Sequence, residues 1–138
     1  MLEIRPGETC DLAEIAAIQA ASPGAAAWPE ADYLRYGLRV AVCQNRVAGF
    51  LATRTVAEGE REILNLAVAP ERRRQGCGRA LVESFLKEAR GDVFLEVRVS
   101  NSFARQFYKS LGFQELTLRQ GYYAAPPEAA IVMKFHSC

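Results

Sequence analysis

Leu64-Asn65-Leu66-Ala67-Val68-Ala69-Pro70-Glu71-Arg72-Arg73-Arg74-Gln75-Gly76-Cys77-Gly78-Arg79 is the stretch from which the fold of this chain is read. Ile63 to Val68 is apolar enough for a strand, and Pro70 stops it because proline has no N–H for a sheet ladder. A basic, glycine-containing segment then leads into a predicted helix from about Gly78 to Arg90. Leu81, Val82, Phe85, Leu86 and Ala89 lie along one stripe of that helix. Strand, glycine loop and helix in this order bring helix-start N–H groups next to a backbone that can approach an anion closely. Arg73, Arg74 and Arg79 add charge that suits a pyrophosphate. The segment is not a Walker loop, because no Gly-Lys-Ser/Thr follows. It is not a dinucleotide fingerprint either, because Ala80 and Leu81 come after Gly78 and Arg79. At this point a phosphate cradle and a run of solvated arginines are both open readings.

Upstream, Asp11 to Ala20 reads as a helix with Leu12, Ile15, Ala16 and Ile18 along one face. Residues 21–29 form a breaker-rich loop with Trp28 as its only large side chain, and a short helix from Glu30 to about Tyr36 follows. Leu38 to Cys43 and Val47 to Thr55 read as two strands joined by the Gln44-Asn45-Arg46 turn. Downstream, Val93 to Val99 alternates, with Val93, Leu95, Val97 and Val99 on one face and Phe94, Glu96 and Arg98 on the other. Ser100-Asn101-Ser102 offers caps for a helix carrying Phe103, Phe107, Tyr108 and Leu111, which Gly112 ends. Phe113 to Leu118 and Ala130 to Phe135 read as the last strands, with Arg119 to Glu128 as their connection. The element order implies an α+β fold, a mixed sheet flanked by helices.

The 138 residues suit one compact domain over 1–138, with the ordinary globular share of apolar and charged residues. A formal net charge of +1 supplies no global field for nucleic acid or a membrane surface, so neither is expected as a partner. Cys10, Cys43, Cys77 and Cys138 are scattered, with no C-x-x-C pair, and His136 is the only histidine. The expectation is free thiols, no metal and a cytoplasmic location.

Val68-Ala69-Pro70 ahead of Arg73-Arg74-Gln75-Gly76-Cys77-Gly78-Arg79 resembles the acetyl-CoA motif of the GNAT acetyltransferases. Leu95-Glu96-Val97-Arg98-Val99-Ser100-Asn101 and Phe107-Tyr108-Lys109-Ser110-Leu111-Gly112-Phe113 are similar to the second half of that family. With Tyr122-Tyr123 they resemble, within it, the ribosomal-protein-alanine N-acetyltransferases, the RimI type. The resemblance runs from about Trp28 to Phe135 and is strongest from Asn65 to Phe113. It implies the GNAT (acyl-CoA N-acyltransferase) fold, with a mixed, mostly antiparallel sheet flanked by helices.

The resemblance also implies roles for individual residues. Leu66, Ala67 and Val68 would offer backbone groups to the pantetheine arm, with the Val68 N–H on the thioester carbonyl. Arg73, Arg74, Gln75, Gly76, Cys77, Gly78 and Arg79 would cradle the pyrophosphate, and Asn101 would bind further along the arm. Glu96 would be the general base and Tyr108 the general acid, while Trp28, Tyr122 and Tyr123 would line the acceptor groove. The co-substrate is then acetyl-CoA, no metal is needed, and the acceptor is a protein N-terminus or a small amine. A monomer or weak homodimer is expected.

Each residue also has a plainer reading. Glu96 could pair with Arg98 on the strand surface, and Tyr108 could be a core tyrosine. Asn101 could be only a helix cap, and Cys77 a spacer between glycines rather than a nucleophile. Ala129 stands where the family usually has an acidic residue, with Glu128 one position earlier, a departure on the acceptor side. Two rivals to N-terminal acetylation are acetylation of a small-molecule amine and a non-catalytic acyl-CoA sensor.

Overall fold

The computed structural model describes residues 2–22, 28–124 and 127–137. Most of the loop expected at 21–29, the tip after Tyr123 at 125–126, and the Cys138 thiol lie outside them. Seven strands hydrogen-bond in the order β1-β2-β3-β4-β5-β7-β6. They are β1 (Leu2–Pro6), β2 (Gly37–Cys43), β3 (Arg46–Ala57), β4 (Glu60–Val68), β5 (Gly91–Arg98), β6 (Gln114–Ala124) and β7 (Pro127–Ser137). The helices are α1 (Leu12–Ala20), α2 (Cys77–Glu88) and α3 (Ser102–Ser110). The β1–β2, β2–β3, β5–β7 and β6–β7 pairings are antiparallel, and β4–β5 is parallel. Among the described residues no helix is long and apolar enough to cross a membrane.

The chain packs as two compact units, the first made of Met1–Arg54 and Ile63–Glu88. Here β2 and β3 form a hairpin on the two residues Gln44 and Asn45, whose φ angles of 52° and 64° give the turn type that matches strand twist. Arg46 therefore opens β3 rather than belonging to the turn, as the sequence had implied. Val47 to Thr53 is buried without interruption, because β3 is covered on both faces. On one face, Ile15 and Ile18 of α1 and Tyr33 join Val40, Val47, Phe50 and Ala67 in a continuous core. On the other, Leu81 and Cys77 of α2 come down on Gly49. Arg5 clasps the start of α1 by two hydrogen bonds to Asp11, at 2.8 and 2.9 Å.

The second unit is Thr55–Glu62 with Ala89–Cys138. Glu60–Glu62 of β4 pair with Asp92–Phe94 of β5. Val93 and Leu95 are buried opposite Phe135 and Met133 of β7, so one face of this sheet is apolar. Phe135 packs at a tilt against Phe113, and Phe113 meets Tyr108 edge to face, which fixes α3 against that face. Arg105 reinforces the docking through Glu115 at 2.7 Å and the Val99 carbonyl at 2.7 Å. Phe103, expected on the apolar stripe of α3, is instead 80% exposed, because it sits on the first turn away from those rings.

The last two strands run further than the sequence suggested. β6 continues through Tyr122 and Tyr123 to Ala124, so these tyrosines stand on a strand and not on a connection. A register shift between Arg119 and Tyr123, with Gly121 at φ 64°, absorbs the extra residues as a bulge.

The β4–β5 join rests on a close approach. Gly91 has φ 95°, and a Cβ there would collide with the Gly59 carbonyl, which accepts from Asp92 N–H at 2.8 Å. Gly91→Ala is therefore expected to cost about 2–5 kcal/mol, from backbone overpacking together with the left-handed dihedral. Gly59→Ala meets nothing within 4 Å and carries only the strain of φ 75°, about 1–2 kcal/mol. Urea unfolding of the two variants checks the difference, and equal losses would contradict it.

Candidate active site

The loop after β4 is built from backbone first. Ala69 N–H bonds the Ala48 carbonyl at 2.7 Å, and Pro70–Arg72 form one tight 3₁₀ turn. Arg74 then takes φ 65° and Gly76 φ 83°. A long side chain at positive φ is costly, and such strain collects at ligand sites. The first bond of α2 runs from Ala80 N–H to the Gly76 carbonyl at 2.9 Å, so the first-turn N–H groups from Cys77 onward precede the helix ladder. A Cβ on Gly76 would meet nothing within 4 Å, which leaves open space over this helix start. Open space, orphan donors and the positive helix end together fit a pyrophosphate.

The arginines divide by role. The Arg73 guanidinium turns inward and donates to the Val68 carbonyl (3.3 Å), the Ala21 carbonyl (3.2 Å) and Ser22 Oγ (3.4 Å). It ties the end of β4 to the end of α1. Arg72 reaches Gln44 at 3.2 Å, and Arg79 reaches Glu83 at 3.4 Å. Arg74 is exposed, and none of the described residues engages its guanidinium. Cys77 is 2% exposed, and burial pushes its thiol up to about 11. That supports the spacer reading over a nucleophile, since a thiolate is scarce at neutral pH.

On β4, Ala67 faces the core while Leu66 and Val68 are half-buried on the other face. Trp28 packs against Tyr33 and Tyr36, with ring centroids at 4.9 and 5.1 Å, and its backbone is held by Gln19 at 3.0 and 3.1 Å. It is thus anchored on the core of the first unit.

In the second unit Glu96 sits on the sheet face opposite the Tyr108 ring cluster. Glu96 Oε1 accepts from Arg119 at 2.9 Å, and its Oε2 is buried with no hydrogen-bond partner among the described residues. The Arg119 guanidinium lies 4.5 Å from the Tyr122 ring centre, and Arg98 lies 4.3 Å from that of Tyr123. The two tyrosine rings meet edge to face at 4.9 Å. Tyr123 donates to the Glu96 carbonyl at 3.4 Å, while Glu128 holds Arg98 at 3.2 Å and Ser100 N–H at 2.6 Å. Burial first, and then the Glu96 carboxylate charge, raise the Tyr122 phenol above its usual range; for Tyr123 burial again leads.

Tyr108 is 6% exposed, between Phe107 and Phe113, and burial raises its phenol well above the usual range. It holds its proton throughout the neutral range. Asn101 accepts from Ala104 N–H at 3.1 Å, so the cap role is in place. The structure brings Tyr122 and Tyr123 to Glu96, a grouping that the sequence did not show, together with Arg119 and Glu128. Arg119 lay in a segment taken for a connection, and only the strand register brings it to Glu96.

This geometry has close counterparts. Residues 11–113 match the model described as "Acetyltransferase (GNAT) family". The [Ribosomal protein bS18]-alanine N-acetyltransferase of Escherichia coli (strain K12) is 44% identical over 94 residues, 64% of this chain and 63% of that protein, so the match spans less than two-thirds of the relative. The crystal structure of the ribosomal-protein-S18-alanine N-acetyltransferase from Escherichia coli superposes with a TM-score of 0.85 and 34% identity, over 99% of this chain and 94% of that one. Arabidopsis thaliana NAA60, solved in complex with acetyl-CoA, shares the fold at a TM-score of 0.86 and 18% identity, covering 99% and 98%. With the strand–loop–helix cradle, the sheet order and the matched segment in agreement, the chain belongs to the GNAT family of acetyltransferases.

Proposed function

We propose that this protein transfers the acetyl group of acetyl-CoA directly to the α-amine of a protein N-terminus, with an N-terminal alanine of a small-subunit ribosomal protein as the leading acceptor. The observation that carries the reading is the open helix start at Gly76–Cys77, reached through positive φ at Arg74 and at Gly76 itself, with the Arg74 side chain exposed beside it. The similarity to bS18-alanine N-acetyltransferases supports the acceptor.

When bound, acetyl-CoA supplies a thioester whose carbonyl carbon is open to a neutral amine. The first-turn amides of α2 and the Arg74 guanidinium hold the pyrophosphate charge. The Val68 N–H, kept in place by the grip of Arg73 on the Val68 carbonyl, polarises the thioester oxygen. Glu96 takes a proton from the acceptor amine as the N–C bond forms and the C–S bond breaks. Tyr108 is assigned to the departing sulfur as its proton or hydrogen-bond donor. A phenol that keeps its proton so firmly stabilises a thiolate, whose conjugate acid has a pKa of about 8.5, by donating a hydrogen bond more than by complete transfer. The Tyr122–Tyr123 pair gives the acceptor an aromatic wall beside the carboxylate. Attack is direct and no covalent enzyme intermediate is needed.

Three outcomes test the reading. Acetyl-CoA at millimolar concentration should raise the melting temperature of the wild-type protein. Gly76→Asp should abolish that rise by placing a carboxylate where the pyrophosphate lies. No shift in the wild type would overturn the cofactor assignment.

Tyr108→Phe and Glu96→Gln should each lower turnover by about 10²–10⁴ while acetyl-CoA still protects against heat. Turnover near wild type in both would return the two residues to structural roles.

An α-amine has a pKa of about 7.7–8.0 against about 10.4 for lysine, so less work is needed to deprotonate it. Its backbone amides also begin at once and can be held in register like an added strand. Peptides beginning with alanine followed by an aromatic or basic residue should therefore be acetylated on the α-amine. The same peptides with that amine blocked, but carrying a lysine, should be poor substrates by mass spectrometry. Activity only on free amine metabolites would instead select the small-molecule reading.

A further inference from the structure

We infer that Arg119 is a positioning residue for Glu96: braced across the Tyr122 ring, it fixes one carboxylate oxygen and leaves the other, buried, for the acceptor amine. The inference rests on the reading of Glu96 as the proton acceptor and adds a residue to it.

Three observations converge on Arg119. Its NH1 is 2.9 Å from Glu96 Oε1, while Glu96 Oε2 is buried without a hydrogen-bond partner among the described residues. The guanidinium also lies over the Tyr122 ring at 4.5 Å. In a regular strand Arg119 and Tyr122, three residues apart, would point to opposite faces. The bulge between Arg119 and Tyr123 places them on one face, the kind of re-aiming for which bulges are used.

The arrangement answers two needs of a proton acceptor. The terminal torsion of a glutamate is broad and roughly two-fold, so an unheld carboxylate rotates among many orientations. A charge-assisted bond to one oxygen removes that freedom and aims the other. A buried carboxylate oxygen with no donor is unfavourable in a resting protein. An acceptor amine that donates to it would satisfy it beside the Tyr122 hydroxyl, which also reaches the Glu96 carboxylate. Arg98, the other guanidinium at the tyrosine pair, is held by Glu128 at 3.2 Å and by the Tyr123 ring. The Arg119 end of the pair is 58% exposed while the Glu96 side chain is 15% exposed, so the guanidinium reaches from solvent to a mostly buried carboxylate.

The test is a cycle of Arg119→Ala, Arg119→Lys, Glu96→Gln and the Arg119→Ala/Glu96→Gln double variant. Steady-state rates are measured with an alanine-initiated peptide, together with melting temperatures. Arg119→Ala should lower kcat about 10–100-fold at temperatures well below its melting transition, with the KM for acetyl-CoA nearly unchanged. Arg119→Lys should recover part of kcat, as should free guanidinium ion added to Arg119→Ala. In the Glu96→Gln background the alanine substitution should cost nothing further, because the residue acts through the carboxylate. A slow Glu96→Gln with a fully active Arg119→Ala would overturn this inference alone. So would an Arg119→Ala loss that persists undiminished in the double variant. Full turnover in Glu96→Gln would overturn the proton-acceptor reading and this inference with it.

Discussion

The first turn of α2 lies on β3 at a separation that a side chain on Gly49 would forbid. A Cβ there would come within 2.9 Å of both the Ala67 carbonyl and Cys77 Sγ. Several features of the first unit follow from this contact. It seats Cys77 in the core, which fixes where the helix begins and therefore where its first N–H groups stand. It lets Leu81 and Cys77 cover one face of β3 while α1 and Tyr33 cover the other. The loop between Val68 and Cys77 must then span a set gap, and it does so with left-handed dihedrals at Arg74 and Gly76. The strain is retained because both ends are pinned, by the packing of Cys77 and by the grip of Arg73 on Val68, Ala21 and Ser22.

The second unit solves a different problem, how to keep carboxylates and aromatic hydroxyls close together. Two parallel sets repeat: Glu96 with Arg119 over Tyr122, and Glu128 with Arg98 over Tyr123. Each guanidinium neutralises a carboxylate and spreads its remaining charge on a ring face, which lowers the cost of holding acids beside partly buried phenols. Glu128 also accepts from Ser100 N–H, and these contacts hold its carboxyl below the usual range. Taking Glu128 one position before the family's usual acidic site thus keeps a working anchor for Arg98. Glu96 is the member left with a buried oxygen that accepts no hydrogen bond by geometry among the described residues.

Much of this was legible because the signals are local. Period-two alternation in Val93–Val99, the stripe Leu81, Val82, Phe85 and Leu86, and Asn101 at a helix start are each settled within a few residues. The Arg73–Arg79 loop was recognisable for the same reason, since glycine at positive φ and a helix start are consecutive in the chain. The destination of each arginine was not legible. Arg73, read as a phosphate ligand, reaches back to Ala21 and Ser22. Arg98 was placed with Glu96 because they share a strand face, yet each found a partner on β6 or β7.

The sequence by itself determined the strand–loop–helix cradle, the order of elements and the family, because these depend on periodicity and on backbone chemistry between neighbours. The tertiary structure decided that β6 carries a bulge, that Tyr122 and Tyr123 stand on a strand, and that Arg119 meets Glu96. The physical reason is register. A side chain on a strand finds its partner through the alignment of residues far apart in the chain, and a single inserted residue moves it to the other face.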